Sequence, residues 1–124
     1  AYYQVPLTFP ASFPTNTLLA MRIACLIEDI REQEAFALAL FNVHWGHGED
    51  ISDEAVACRM ANEAGLDGPA LVAGAQAVEA KERLKQNTEE AVSRGAFGAP
   101  TFFIGKEMFW GNDRLPLIKH RLSH

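Results

Sequence analysis

With 124 residues, the chain is one domain's worth of polypeptide, and its 48% hydrophobic and 22% charged residues are ordinary for a globular protein. A formal net charge of −5 and a pI near 5.3 exclude the basic face that nucleic acid or an anionic membrane would need. No apolar run approaches the ~18–20 residues of a membrane span.

The first residues, Ala1 to Pro6, lack the basic start and apolar centre of a signal peptide. They also lack an initiating Met, which leaves open a processed chain or one cut from something longer. Pro6, Pro10 and Pro14 remove backbone donors and disfavour helix in the residue before each, so 1–15 reads as an extended surface segment. Its aromatics, Tyr2, Tyr3, Phe9 and Phe13, suggest that it lies on an apolar surface.

Thr15-Asn16-Thr17 supplies cap chemistry for a first helix, with apolar residues at 19, 23, 26, 27 and 30 and with Arg22, Glu28, Asp29 and Arg31 facing out. A second helix is predicted over about 32–46. Phe36, Leu40, Val43 and His44 share one face and Ala37, Phe41 and Trp45 the next, a breadth that implies burial on more than one side. Gly46 and Gly48 end it. Acids at 49–54 open a third helix over about 53–64, where the helix dipole favours negative charge, and Gly65 stops it. Gly68-Pro69 starts a short helix. A long polar helix over about 77–94 has an inward stripe of Ala77, Ala80, Leu84, Asn87/Thr88, Ala91 and Val92, and ends at Gly95.

Two strands follow, about 101–104 and 107–110, joined by Gly105-Lys106 in the manner of a II′ hairpin turn. Asn112 is the predicted cap of a last helix with apolar positions Leu115, Leu117, Ile118 and Leu122. Phe102, Phe103, Ile104, Met108, Phe109 and Trp110 make the strands nearly continuously apolar, as strands buried on both faces are. Two strands cannot make such a sheet alone, so the sheet reads as incomplete.

Cys25 and Cys58 lie in helical patterns among apolar neighbours and read as buried thiols in a reducing compartment; there is no CxxC. His44 and His47 could share a helical face, but no third metal ligand stands at a matching spacing, so no metal is assigned. His120 and His124 read as solvated. Trp45 and Trp110 could line an aromatic pocket or belong to the core.

Two places could carry chemistry. Ala99-Pro100, leading into a strand, is a candidate cis peptide that would turn the Ala99 N–H and C=O toward a peptide-like ligand; a trans proline opening an edge strand is the alternative. Gly111-Asn112-Asp113 offers backbone N–H groups and an amide for an anion, beside a carboxylate for an ammonium, which suits the zwitterionic end of an amino acid. A plain helix cap is the alternative there.

The run Asn87 to Phe103, containing Gly95-Ala96-Phe97-Gly98-Ala99-Pro100-Thr101-Phe102-Phe103, followed by Met108-Phe109-Trp110-Gly111-Asn112-Asp113-Arg114-Leu115, resembles 2-hydroxychromene-2-carboxylate isomerases. Phe13-Pro14-Thr15-Asn16-Thr17 and Trp45-Gly46-His47-Gly48-Glu49-Asp50-Ile51 are similar to the same family, so the likeness covers essentially the whole chain. That family stands with kappa-class glutathione transferases and DsbA-type oxidoreductases. The resemblance implies an α/β thioredoxin-like fold with an inserted helical domain, here mostly helical with a C-terminal hairpin and terminal helix. It divides the chain into an extended segment at 1–15, a helical insertion at 16–76 and the C-terminal αββα half of a thioredoxin-like domain at 77–124.

The resemblance also implies a glutathione-dependent isomerase of aromatic catabolism, cytoplasmic, acting on a small aromatic carboxylate, and it leaves a homodimer open. Ala99, before the family's cis-proline at Pro100, would pair with the cysteinyl unit of glutathione, and Asn112 and Asp113 would hold its γ-glutamyl end. The family's N-terminal βαβ unit and its catalytic serine have no counterpart in these residues, so the catalytic nucleophile is unassigned and the chain is expected to be inactive alone. A kappa-like transferase, a thiol-disulfide oxidoreductase and a non-catalytic helical fragment are the competing readings.

Overall fold

The computed structural model describes residues 4–5 and 7–124; Tyr2, Tyr3 and Pro6 of the expected extended segment lie outside the described residues. The elements are α1 (Leu18–Leu26), α2 (Ile30–Phe41), a π-helical turn (Asn42–Gly46), α3 (Glu54–Glu63), α4 (Gly68–Ala75), α5 (Val78–Ser93), β1 (Thr101–Ile104), β2 (Glu107–Trp110), a 3₁₀ turn (Asn112–Arg114) and α6 (Leu115–Leu122). The chain divides into two compact units, residues 1–84 and 85–124.

The first unit is helical and carries a packed core. Ile23 of α1, Phe36 of α2, Ala57 and Ala61 of α3 and Ala75 of α4 are fully buried, with Ile27, Val43, Ile51 and Met60 around them. Small residues on α3 and α4 let these helices approach closely. The tightest point is Gly68, where a Cβ would stand 2.4 Å from the Cys58 carbonyl oxygen and 2.8 Å from its Sγ. The Gly68 N–H donates to Asn62 Oδ1 at 2.9 Å, so the α3–α4 joint is closed sterically and by hydrogen bond. Arg83 Nη1 donates to the Cys25 carbonyl at 2.9 Å and ties the start of α5 to the end of α1.

Helix starts follow their caps. Asp29 Oδ1 accepts from the N–H groups of Arg31 and Glu32, and Asp53 and Asp67 cap α3 and α4 likewise. Asp29 faces out as expected, but it caps α2 and does not belong to α1, which stops at Leu26. At α1 itself Thr17 makes no side-chain cap bond; Asn16 Oδ1 accepts from Leu18 N instead. Arg22, expected to face out, has its Nε buried with no hydrogen-bond partner among the described residues.

The extended segment does meet an apolar surface. Thr8 N–H donates to the Trp45 carbonyl and Thr8 Oγ1 to that of Gly46, while the rings of Phe9, Phe13 and Trp45 cluster at 5.5–5.9 Å. The Phe13–Pro14 bond is cis, which sequence reasoning did not anticipate. Three expectations of burial fail in this unit. Phe41 is 64% exposed, although Ala37 and Trp45 on the same face are half-buried, and both cysteines are half-buried. His44 is buried, whereas His47 is exposed, so the two do not form a pair.

In the second unit α5 ends in a Schellman motif: Ala96 N–H donates to the Ala91 carbonyl and Gly95 N–H to that of Val92, with Gly95 at φ +98°. Strands β1 and β2 have the expected bounds and pair antiparallel in the register Thr101↔Trp110, Phe102↔Phe109, Phe103↔Met108, Ile104↔Glu107. Gly105 takes the positive φ at the first turn position and Lys106 does not, as a II′ turn requires. Arg94 fastens α5 to the hairpin. Its guanidinium lies 4.1 Å from the Phe103 ring centre and Nη2 donates to the Gly105 carbonyl at 2.7 Å. Arg121 of α6 pairs with Glu107 of β2 at 3.0 Å.

Within the described residues the apolar strands are not covered on both faces. β1 is half-buried throughout, and β2 is exposed except at Phe109. On α6 only Ile118 is buried, while Leu115, Leu117 and Leu122 face solvent. Of the predicted inward stripe, Ala77 just before α5 and Val92 and the Asn87/Thr88 position on it are exposed, Leu84 and Ala91 are half-buried, and Ala80 alone is fully buried. The periodicity correctly marks one face of each element, and little among the described residues covers that face.

Candidate ligand-binding site

The residues predicted from the sequence come together in the second unit. The Ala99–Pro100 bond is cis. The Pro100 carbonyl accepts from the Gly111 N–H at 2.9 Å, which brings 99–100 against the turn that carries Asn112 and Asp113. Ala99, Pro100, Asn112 and Asp113 are all exposed. Among the described residues, neither the N–H nor the carbonyl of Ala99 has a hydrogen-bond partner.

Asn112 does not cap a long helix, as the sequence suggested. Gly111 stands at the cap position of a 3₁₀ turn, and neither that turn nor α6 receives a side-chain cap bond. The Arg114 N–H is satisfied by the Gly111 carbonyl and that of Leu115 by Asn112. The N–H groups of Asn112 and Asp113, at the first positions of the turn, have no partner among the described residues. Gly111, at φ +99° and ψ 149°, holds a conformation that L side chains rarely adopt. Its missing Cβ also makes room for Asp113, whose Oδ1 lies 2.6 Å from where that Cβ would be. The Asp113 carboxylate thus folds back over its own turn, exposed and without an ion-pair partner among the described residues.

The result is an open edge with unpaired groups of three kinds: a peptide N–H and C=O at 99, two N–H groups at 112–113 with the Asn112 amide, and a lone carboxylate. A free peptide edge pairs with another peptide by strand-like bonds, N–H groups at a turn donate to a carboxylate, and a carboxylate accepts from an ammonium. Small peptides with a zwitterionic end carry all three complements.

The first unit has a different concavity, a cleft of about 330 Å³ beside the π-helical turn, walled by His47, Glu49, Arg59 and Glu63 over Val43 and Met60. Two of its charges are spent on each other. Arg59 Nη2 meets Glu49 Oε1 at 2.6 Å, and that pairing pushes the guanidinium pKa above its usual value. His44 is withdrawn from the cleft, its Nδ1–H donating to the Glu49 carbonyl at 2.9 Å. Among the described residues no group of three side chains could hold a metal ion. The cleft was not visible in the sequence, because a π-helical turn leaves no mark in a helical repeat.

A strand hairpin opened by a cis-proline and followed by a terminal helix is a piece of thioredoxin architecture, and the chain belongs to the DSBA-like thioredoxin domain family, whose model matches residues 1–123. It is 35% identical to the 2-hydroxychromene-2-carboxylate isomerase of Sphingobium xenophagum over 122 residues, covering 98% of this chain and 62% of the relative. It is 29% identical to human glutathione S-transferase kappa 1, covering 98% of this chain and 60% of that protein. A solved 2-hydroxychromene-2-carboxylate isomerase superposes with a TM-score of 0.88 at 30% identity, over 98% of this chain and 59% of that one. The family resemblance and the fold expected from the FGAPTFF and MFWGNDR motifs are therefore borne out. The chain spans about three-fifths of the length of the curated relatives it matches. No helix of the described residues is long and apolar enough to cross a membrane.

Proposed function

We propose that these residues form the glutathione-holding part of an isomerase acting on a 2-hydroxychromene-2-carboxylate-like substrate. Ala99 pairs its backbone with the cysteinyl peptide of glutathione, beside Pro100. The N–H groups at 112–113 and the Asn112 amide take the γ-glutamyl carboxylate, and Asp113 takes the γ-glutamyl ammonium. The observation that carries this reading is the Gly111 N–H to Pro100 carbonyl bond, which sets the free peptide edge beside the unpaired anion and cation seats. The relatives' names support the substrate class. Glutathione, when bound, would supply a thiol nucleophile for reversible addition to a conjugated carbonyl. The residues present orient it; none of them is assigned the role of activating the thiol. A thiol cofactor and two cysteines outside any disulfide suit a reducing, cytoplasmic setting. The kappa-class relatives favour a second reading on the same site, glutathione transfer to an electrophile.

Calorimetric titration of glutathione into the full-length protein tests the site. Saturable binding is expected, weakened about tenfold or more by Asp113→Ala, since a hydrogen-bonded charge is lost. No heat at millimolar glutathione, or equal affinity in Asp113→Ala, overturns the assignment. Product analysis with a hydroxychromene carboxylate and with an alkylating electrophile separates isomerase from transferase.

A further inference from the structure

Beside the peptide edge stand two large aromatic side chains that the site above does not use. Phe97 is 71% exposed and Trp110 49% exposed, and their rings pack with centroids 5.2 Å apart and planes tilted by 39°. Several features hold this pair in place. Trp110 is fixed by its register opposite Thr101. The Thr101 hydroxyl donates to the Gly98 carbonyl and so pins the loop that carries Phe97. Gly98 lies flat against the indole: a Cβ there would stand 2.5 Å from Trp110 Nε1. Any other residue at 98 would displace the indole from its present place.

Exposed aromatic surface is costly to leave in water, and a held pair of rings offers a face on which another flat ring can stack. Its position narrows what that ring is. Phe97 is two residues from Ala99, so its backbone lies within about 7–8 Å of the peptide edge. If Ala99 pairs with the cysteinyl unit, the thiol hangs one side-chain length from that edge, and the molecule that reacts with it must lie beside it. The geometry points to Phe97 and Trp110 as the specificity-determining seat for the planar aromatic part of the substrate, an inference that rests on the glutathione reading above. Gly98 acts through them as a positioning residue. What this pair adds to that reading is a stacking face for the substrate's ring.

The test uses the full-length protein with 2-naphthoate as a stable aromatic probe and cyclohexanecarboxylate as its non-aromatic control. Binding is followed by saturation-transfer NMR, with and without glutathione, and glutathione binding is followed separately by calorimetry. The expected result is saturable contact with the naphthoate ring protons and none with the control. Phe97→Ala, at an exposed position that leaves the fold intact, weakens naphthoate about tenfold and leaves glutathione affinity within about twofold. Trp110→Phe retains naphthoate binding, which separates loss of a ring from loss of the hairpin. Naphthoate binding unchanged in Phe97→Ala overturns the seat, as does glutathione binding with no naphthoate contact, which would mean that another part of the protein covers the pair. Naphthoate contact at Phe97 without glutathione binding keeps the seat as an aromatic site and overturns the glutathione reading.

Discussion

The two units of this chain are stabilised differently. The first has a core: Phe36, Ile23, Ala57, Ala61 and Ala75 are fully buried, and their helices are capped and closely packed. The second has one buried hydrophobic residue, Ile118, and is held by a stacked guanidinium, an ion pair, a hairpin ladder and a Schellman turn. Yet the candidate site lies in the second. Recognition groups must be unpaired to bind, and a unit whose helices are capped and closely packed has few of them at its surface. The first unit's cleft makes the point, since its arginine and glutamate already satisfy each other.

This contrast places the largest effect of side-chain truncation in the first unit. Phe36→Ala is expected to cost about 3–5 kcal/mol, and Ile118→Ala about 2 kcal/mol, near the low end for a side chain with few neighbours to lose. Denaturant unfolding of both variants checks the ordering. Equal losses would mean that the second unit has a core of its own. Next in size is Gly68→Ala. Its Cβ would meet backbone as well as the Cys58 sulfur, so α4 must move off α3, at a cost of about 1–3 kcal/mol. A melting temperature equal to that of the parent would show that the joint has slack.

The same contrast explains what the sequence disclosed. The strands were legible to the residue because Gly105-Lys106 fixes the turn and the register follows from it. Gly65 and Gly95 marked helix ends because each accepts a positive φ that closes a Schellman motif. The peptide edge and the 111–113 turn were legible as groups in need of partners. Periodicity, however, states only which residues share a face. It marked Phe41, Val92, Leu117 and Trp110 as apolar positions and could not say whether anything covers them. Asp29 was placed on the wrong helix because the apolar pattern runs on through Ile30, so a cap looked like an outward residue of one longer helix. Asn112 was misread as a cap because the 3₁₀ turn that precedes α6 has no signature in residue type. Phe97 went unremarked because a lone exposed aromatic becomes informative only when a second ring is found against it.

The smallest predicted effect concerns how the second unit holds together without a core. Arg94 reaches two acceptors on the hairpin side: it stacks 4.1 Å from the centre of Phe103 and donates to the Gly105 carbonyl at 2.7 Å. Its carboxylate partner Glu90 is 3.9 Å away and both side chains are exposed, so that ion pair adds little. Stacking and one charge-assisted hydrogen bond at an exposed site are together worth about 1 kcal/mol. Arg94→Ala should therefore speed amide exchange in β1 and β2 about fivefold while leaving α2 and α3 unchanged. Arg94→Lys should recover only part of this, because an ammonium lacks the planar fork that stacks and donates at once. Added salt should not mimic the substitution, since screening removes the Glu90 pair and leaves the stack. If salt alone reproduced the faster exchange, the ion pair and not the ring contact would be what fastens α5 to the hairpin, and the second unit would be held by charge.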